Sequence, residues 1–215
     1  MALATHQLHP IMCITQDNLP YSHVEQAKRL CGAGAKWIQL RMKNAPREHW
    51  LTTAADVVEI CRDHGAVCIV NDDVEVALAS GADGVHLGRT DESWRGARER
   101  LGPTRILGGT VNNSKDAHDA ALVDCLDYVG VGPWRFTSNK QKLAPILGPD
   151  GVRALVLQLD GLPTWAIGGI ESNDLPAVRA TGATGAAVSS VLFRGGEIEE
   201  NYRTLVAAWT PKQLR

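Results

Sequence analysis

Eight short apolar runs alternating with eight longer amphipathic segments predict an α/β fold, a single (β/α)8 TIM barrel. Two further observations agree. Most of the apolar runs are continuous, as strands covered on both faces should be, whereas a sheet wetted on one side would alternate. The length of 215 residues also suits one closed barrel, since such folds commonly form a single domain of about 200–250 residues.

The elements follow in order. Strands are expected at Ile11–Thr15, Trp37–Arg41, Val67–Val70, Gly84–Leu87, Arg105–Thr110, Tyr128–Val131, Thr164–Ile167 and Ala186–Ser189. Helices are expected near 21–33, 46–64, 72–80, 91–101, 114–123, 149–159, 172–180 and 197–209. Pro46 suits a first helical position, with Asn44 close enough to help cap and Glu48 following. Ser114 is expected to cap the fifth helix, and Ser172 and Asn173 to cap the seventh with Glu171 and Asp174 adding negative charge near its start. Gly65, Gly81, Gly102 and Gly182 mark helix ends. The pairs Gly34-Ala35, Gly81-Ala82 and Gly182-Ala183 suggest one helix-to-strand turn used three times. Residues 1–9 read as an N-terminal extension, 10–210 as the catalytic barrel and 211–215 as a tail. The long aperiodic stretch 132–149 follows the sixth strand, on the face where barrels carry their chemistry, and reads as a binding loop or lid.

Composition narrows the class. A net charge of -2 gives no basic footprint for nucleic acid or anionic membranes. No apolar run approaches the roughly 18 residues of a membrane span, and the first ten residues carry neither the basic nor the apolar region of a signal peptide. Five cysteines without a C-x-x-C pair read as buried, reduced thiols of a cytoplasmic protein.

Candidate chemistry sits at strand ends. Gln39, Arg41 and Lys43 alternate, so on an extended backbone they point one way and read either as an anion clamp or as a polar strand exit with Arg41 salt-bridged to a neighbour. Asp72 and Asp91 follow the third and fourth strands. Taken singly, each reads as a helix cap. As a pair on neighbouring strand ends they read as ligands for magnesium, which takes one or two carboxylates, waters and substrate phosphate. His86, among apolar neighbours, reads as a core histidine. Gly168, Gly169 and Ser190 lie in the loops after strands seven and eight, where barrels of this kind hold phosphate. No nucleophile elbow is present.

The spaced blocks IQLRMK, VNDD, GADGVHLGRTD, DYVGVGP with Thr137 and Lys140, AIGGI with Asn173, and GATGAAVSS resemble the thiamine-phosphate synthase family. The resemblance spans Gln39 to Ser190. It implies a transferase of thiamine biosynthesis, joining hydroxymethylpyrimidine diphosphate to a thiazole phosphate and releasing pyrophosphate. It implies Mg2+ as cofactor, held by Asp72 and Asp91. Gln39, Arg41, Lys43 and Asn71 would hold the pyrimidine diphosphate, and Thr110 stands near it where the family usually has serine. Lys140 would reach the pyrophosphate, so that Arg41, Lys43 and Lys140 are the implied catalytic cations. Thr137, Gly169, Ser189 and Ser190 would serve the thiazole phosphate, with Asn139 beside them in place of a family threonine. The implied partners are small phosphorylated pyrimidines and thiazoles, neither nucleic acid nor membrane, and a homo-oligomer is allowed.

Departures from the family pattern cluster near the diphosphate. Arg89 stands for a glutamine and is expected either to pair with Asp91 in competition with metal or to contact an anion. Met42 replaces a glutamate, Phe136 a proline, and Arg135 is an added cation. Two alternatives stand beside the synthase. A thiazole tautomerase would need a titratable histidine after the fifth strand, where this chain has Asn112. A barrel that binds a phosphorylated ligand without turnover is the other.

Overall fold

The computed structural model describes residues 8–43, 45–136 and 144–211. Eight parallel strands close into one barrel in chain order: β1 (Ile11–Ile14), β2 (Trp37–Leu40), β3 (Val67–Asn71), β4 (Gly84–Leu87), β5 (Ile106–Val111), β6 (Tyr128–Val131), β7 (Thr164–Ile167) and β8 (Gly185–Val188). Closure is made by β8 on β1, with Met12 opposite Ala187 and Cys13 opposite Val188. Among the described residues nine α-helices surround it: α1 (His23–Gly32), α2 (Arg47–Asp63), α3 (Val74–Ser80), α4 (Trp94–Leu101), α5 (Ser114–Val123), α6 (Gly148–Gln158), α7 (Leu175–Ala180), α8 (Ser190–Phe193) and α9 (Ile198–Trp209). The TIM-barrel prediction therefore holds. The one unexpected helix is α8, whose four residues SVLF are too few to show helical periodicity. No described helix is long and apolar enough to cross a membrane.

Several caps differ from the sequence expectation by one residue or two. Asn113, not Ser114, accepts from the Asp116 amide. Ser114 is already helical, and its hydroxyl instead reaches Gln158 on α6 at 2.8 Å. Asp73 caps α3 through Val76, and Ser93 caps α4 through Gly96, so neither Asp72 nor Asp91 is used as a cap. Pro46 stands just before α2 as its cap residue and supplies no side-chain bond; Asn44 lies outside the described residues. Ahead of α7, Glu171 and Asp174 form the reciprocal capping box, and Ser172 and Asn173 sit inside the short 3-10 turn.

A side-chain clamp recurs at the entry to three even strands, two of them preceded by the Gly-Ala pair. The residue entering β4, β6 and β8 reaches sideways to the preceding odd strand. Asp83 accepts from the Cys68 amide at 2.7 Å, Asp127 from the Leu107 amide at 2.9 Å, and Thr184 from the Thr164 amide at 3.0 Å. Each also donates its own amide to the carbonyl of that same residue. These side chains satisfy strand-end amides that no ladder partner can reach. Arg98 on α4 reinforces the middle clamp, pairing with Asp127 at 2.6 Å and donating to three carbonyls around it.

Two apolar layers follow from strand alternation. Outward residues pack under the helices, and the buried thiols Cys13, Cys31, Cys61 and Cys68 lie there, reduced. Inward residues fill the barrel: Met12, Ile14, Trp37, Ile69, Ile106, Tyr128, Trp165 and Ala187. Three of these are aromatic, with ring centroids 4.9–5.5 Å apart, mostly edge-on. Glycines on the facing strands make room. A Cβ on Gly108 would stand 2.2 Å from Cζ of Tyr128, and one on Gly185 would stand 2.5 Å from Nε1 of Trp165.

This packing predicts a contrast between two substitutions. Gly108→Ala should cost about 2 kcal/mol or more, because the Tyr128 ring is wedged between two tryptophans and cannot retreat. Thermal unfolding should then fall by roughly 4–8 °C. Gly32→Ala, at the end of α1 with nothing within 4 Å of its added carbon, should leave the midpoint unchanged or raise it. Equal midpoints for the two variants would contradict the wedge.

Candidate active site

A cavity of 430 Å³ opens on the rim formed by the strands' C-terminal ends. Its floor is the upper end of the inward-facing rows, and the rows change character there. Two residues beyond Trp37 comes Gln39, beyond Ile69 comes Asn71, and beyond Gly84 comes His86. All three are buried, and all three line the cavity. His86 is indeed held from both sides, with Nδ1 3.1 Å from the Tyr128 hydroxyl and Nε2 3.0 Å from Thr110 Oγ1. Its ring edge also faces the cavity, past Gly130, whose missing Cβ would lie 3.3 Å from it. Burial pushes the Tyr128 phenol above its usual range, so it stays protonated and able to donate.

One wall carries the carboxylates. Asp72 leaves β3 in the left-handed region at φ 69°, which is uncommon outside glycine. Its amide still donates to His86 across the ladder at 2.8 Å. That twist ends the strand and delivers the side chain to the cavity, while the neighbouring Asp73 takes the cap and the ion pair to Arg47 at 3.0 Å. Asp91 reaches the same cavity from the loop after β4, and its Oδ2 accepts from the Gly88 amide at 2.6 Å. A Cβ on Gly88 would crowd that oxygen at 3.0 Å.

The cation next to them is Arg41. Burial lowers its pKa from the ordinary arginine value, and the nearby charges of Asp72 and Asp17 oppose that shift. A guanidinium stays charged in a protein, so it is a partly desolvated cation beside a carboxylate wall. Its place is set from β1, as the sequence reading did not anticipate. Thr15 Oγ1 accepts from the Arg41 amide at 3.1 Å, and Asp17 accepts from the Lys43 amide at 3.0 Å. His23 joins the two, 2.7 Å from Thr15 and 3.0 Å from Asp17. β2 ends at Leu40, so alternation no longer governs Lys43. That residue is exposed and is not among the cavity-lining residues.

The opposite wall is made by Gly168, Gly169, Ser189 and Ser190. Gly168 and Gly169 have φ of 104° and 68°, open to glycine at no steric cost. A Cβ there would also strike Pro133 at 2.8 Å and Arg135 at 2.6 Å, because the start of the loop after β6 lies across them. Backbone bonds Trp134 to Ile167 and Arg135 to Gly168 hold that crossing. Ser189 and Ser190 sit where β8 gives way to α8.

The cavity thus gathers Gln39, Arg41, Asn71, Asp72, Asp91, Thr110, Gly169, Ser189 and Ser190. Thr137, Asn139 and Lys140 lie outside the described residues. Arg89 does not pair with Asp91. It bridges Asp116 and Asp119, at 3.0 Å each, and lies 4.8 Å over the Trp94 ring. Two carboxylates one helical turn apart on α5 offer more than one does. Arg135 pairs with Asp174. Asn112 donates its amide to the Gly132 carbonyl at 2.5 Å and so serves as a brace between loops.

The donor set decides which ions suit. Among the described residues no three His, Cys, Asp or Glu side chains gather as a metal cage, which disfavours zinc. Two carboxylates on one wall of a roomy polar cavity suit magnesium, which keeps several waters and shares a substrate phosphate.

Comparison with known proteins agrees with the architecture. The family profile described as thiamine monophosphate synthase matches residues 11–192. A thiamine-phosphate synthase of Bacteroides fragilis is 39% identical over 199 residues, covering 89% of this chain and 96% of the relative. One from Myxococcus xanthus is 43% identical over 188 residues, covering 87% and 85%. The solved structure of a thiamine phosphate pyrophosphorylase from Pyrococcus furiosus superposes with a TM-score of 0.85 at 30% identity, covering 94% of this chain and 96% of that one. With its profile matched from the first strand to the helix after the last, this chain belongs to the thiamine monophosphate synthase family.

Proposed function

We propose that the chain is a magnesium-dependent thiamine-phosphate synthase, a transferase that moves the hydroxymethylpyrimidine group from its diphosphate to the ring nitrogen of a thiazole phosphate. The observation that carries this is the convergence, in one 430 Å³ cavity, of the Asp72 and Asp91 carboxylates, the Arg41 guanidinium and the glycine–serine corner. Those are two anion sites of different chemistry on opposite walls, as a reaction between two phosphorylated molecules requires.

The roles follow from placement. Arg41 neutralises the diphosphate, and its desolvated charge is worth more there than in water. Lys140, assigned by the family resemblance, adds a cation from the long loop. Asp72 and Asp91 would hold magnesium, which when bound stabilises the negative charge that builds on departing pyrophosphate. Gln39 and Asn71 present amide edges on the floor, suited to the pyrimidine ring. The amides after Gly168 and the hydroxyls of Ser189 and Ser190 take the thiazole phosphate. The carbon–oxygen bond to the diphosphate breaks with its electron pair leaving on oxygen, and the thiazole nitrogen supplies the pair for the new carbon–nitrogen bond. The nitrogen carries no proton, so no general base is needed. That suits a cavity whose only described histidine, His86, has both ring nitrogens engaged. The tautomerase reading loses its proton-carrier to Asn112, which is engaged with Gly132.

Purified protein given both substrates should form thiamine phosphate and pyrophosphate only with magnesium present. Absence of product under those conditions would defeat the proposal. Asp91→Ala should lower kcat about 100-fold or more, equal to about 2.7 kcal/mol of barrier, with an unchanged unfolding midpoint. Retained turnover would remove Asp91 from the metal site. Ser190→Ala should raise KM for the thiazole phosphate roughly tenfold, the usual loss for one hydrogen bond to a charged group, while KM for the pyrimidine diphosphate stays put. A defect confined to the pyrimidine side would reverse the assignment of the two walls.

A further inference from the structure

Arg89 occupies an awkward place. It lies two residues before Asp91 in the same turn, and both side chains line the cavity. A carboxylate intended for a metal has a mobile guanidinium for a neighbour, and the two would pair if nothing intervened. Three restraints hold the arginine elsewhere. Its Nε meets Asp116 at 3.0 Å, its Nη2 meets Asp119 at 3.0 Å, and its Cζ lies 4.8 Å over Trp94. Asp116 is a fixed anchor. It is 6% exposed, and it accepts from the Asn112 amide at 3.0 Å and from Asn113 Nδ2 at 3.1 Å. Among the described residues Arg89 is its only ion-pair partner. Asn112 in turn is tied to Gly132, so the anchor is braced through the loops after β5 and β6.

We infer that Asp116 and Asp119 are positioning residues that sequester Arg89 and so keep Asp91 available to a divalent cation. The inference rests on the metal reading of Asp72 and Asp91. The physical argument is competition. A planar guanidinium prefers the site that satisfies more of its donors. Two carboxylates and an aromatic face on α4 and α5 outmatch one carboxylate that already accepts from Gly88. With those carboxylates neutralised, the arginine is released beside Asp91, which lines the same cavity two residues on, and pairing of the two would exclude metal.

Mn2+ binding, followed by electron paramagnetic resonance of the free ion with pyrophosphate present, tests this without turnover. Asp116→Asn combined with Asp119→Asn should weaken Mn2+ binding at least fivefold. Adding Arg89→Met to that variant should restore it to within twofold of the unsubstituted protein, because the competitor is gone. A role confined to packing would predict the opposite, a triple variant no better than the double. Asp119→Asn alone, on a more exposed position, should shift binding in the same direction by a smaller factor and guards against a double variant that fails to fold. Unchanged Mn2+ binding in both neutralised variants, or no recovery in the triple, would overturn the inference. If the unsubstituted protein neither binds Mn2+ with pyrophosphate nor forms thiamine phosphate, the metal reading falls and this inference with it. If it does both while the variants behave alike, only the sequestration is refuted.

Discussion

The wedge of Trp37, Tyr128 and Trp165 inside the barrel is the constraint on which the rest depends. Eight parallel strands enclose a space that side chains must fill, because an empty interior forfeits dispersion contacts without gaining water. Here three large rings fill the lower half, and glycines at 108 and 185 yield the space they need. The filling stops at Tyr128. Its ring belongs to the apolar layer and its hydroxyl to the polar one, where it meets His86. Above that boundary the inward residues around the cavity are mixed, with polar Gln39, Asn71 and His86 beside apolar Ile14 and Ile167. The floor of the cavity is therefore the top of the core, and its shape is set by packing that takes no part in the chemistry.

The barrel was readable because its signals repeat. Eight buried runs at regular spacing leave few alternatives, and each strand lies within two residues of its expected place. The Gly-Ala pairs were visible too, although only the structure shows that the residues at 83, 127 and 184 fasten neighbouring strands. What escaped was local. Ser114 and Asn113 are both good caps, and one dihedral decides between them. α8 is shorter than a helical period can reveal. The candidate site was legible where a polar residue interrupts a strand end, as at Gln39, Arg41, Asp72 and Asp91. It was not legible at Thr15, Asp17 and His23. Those residues touch the clamp through its backbone, and nothing in their own sequence pattern marks such a role.

In the proposed metal site, neither Asp72 nor Asp91 is spent on capping the helix that follows it. A carboxylate at a strand end has three competing uses: to cap the next helix, to pair with a cation, or to face the cavity. Asp73 and Ser93 do the capping, and Asp72 and Asp91 line the cavity. Arg47 goes to Asp73 and Glu75, and Arg89 to Asp116 and Asp119. Arg41, by contrast, lies beside Asp72 and lines the cavity where the proposed diphosphate would bind. The charges are thus sorted by carboxylates that lie outside the cavity lining.

The exit of β1 shows how such sorting extends to the cation itself. A long side chain can point wherever its backbone aims it, so the guanidinium of Arg41 is only as well placed as its peptide. Thr15 and Asp17 fix two alternate peptides of the loop after β2, and His23 at the start of α1 fixes both of them. Asp17 does this while lying close enough to influence the Arg41 charge. Asp17 thus holds the backbone of this loop and also acts on the Arg41 charge, as Asp72 does from β3. The placement of Arg41 on one strand end is therefore fixed by side chains that follow the neighbouring strand, β1.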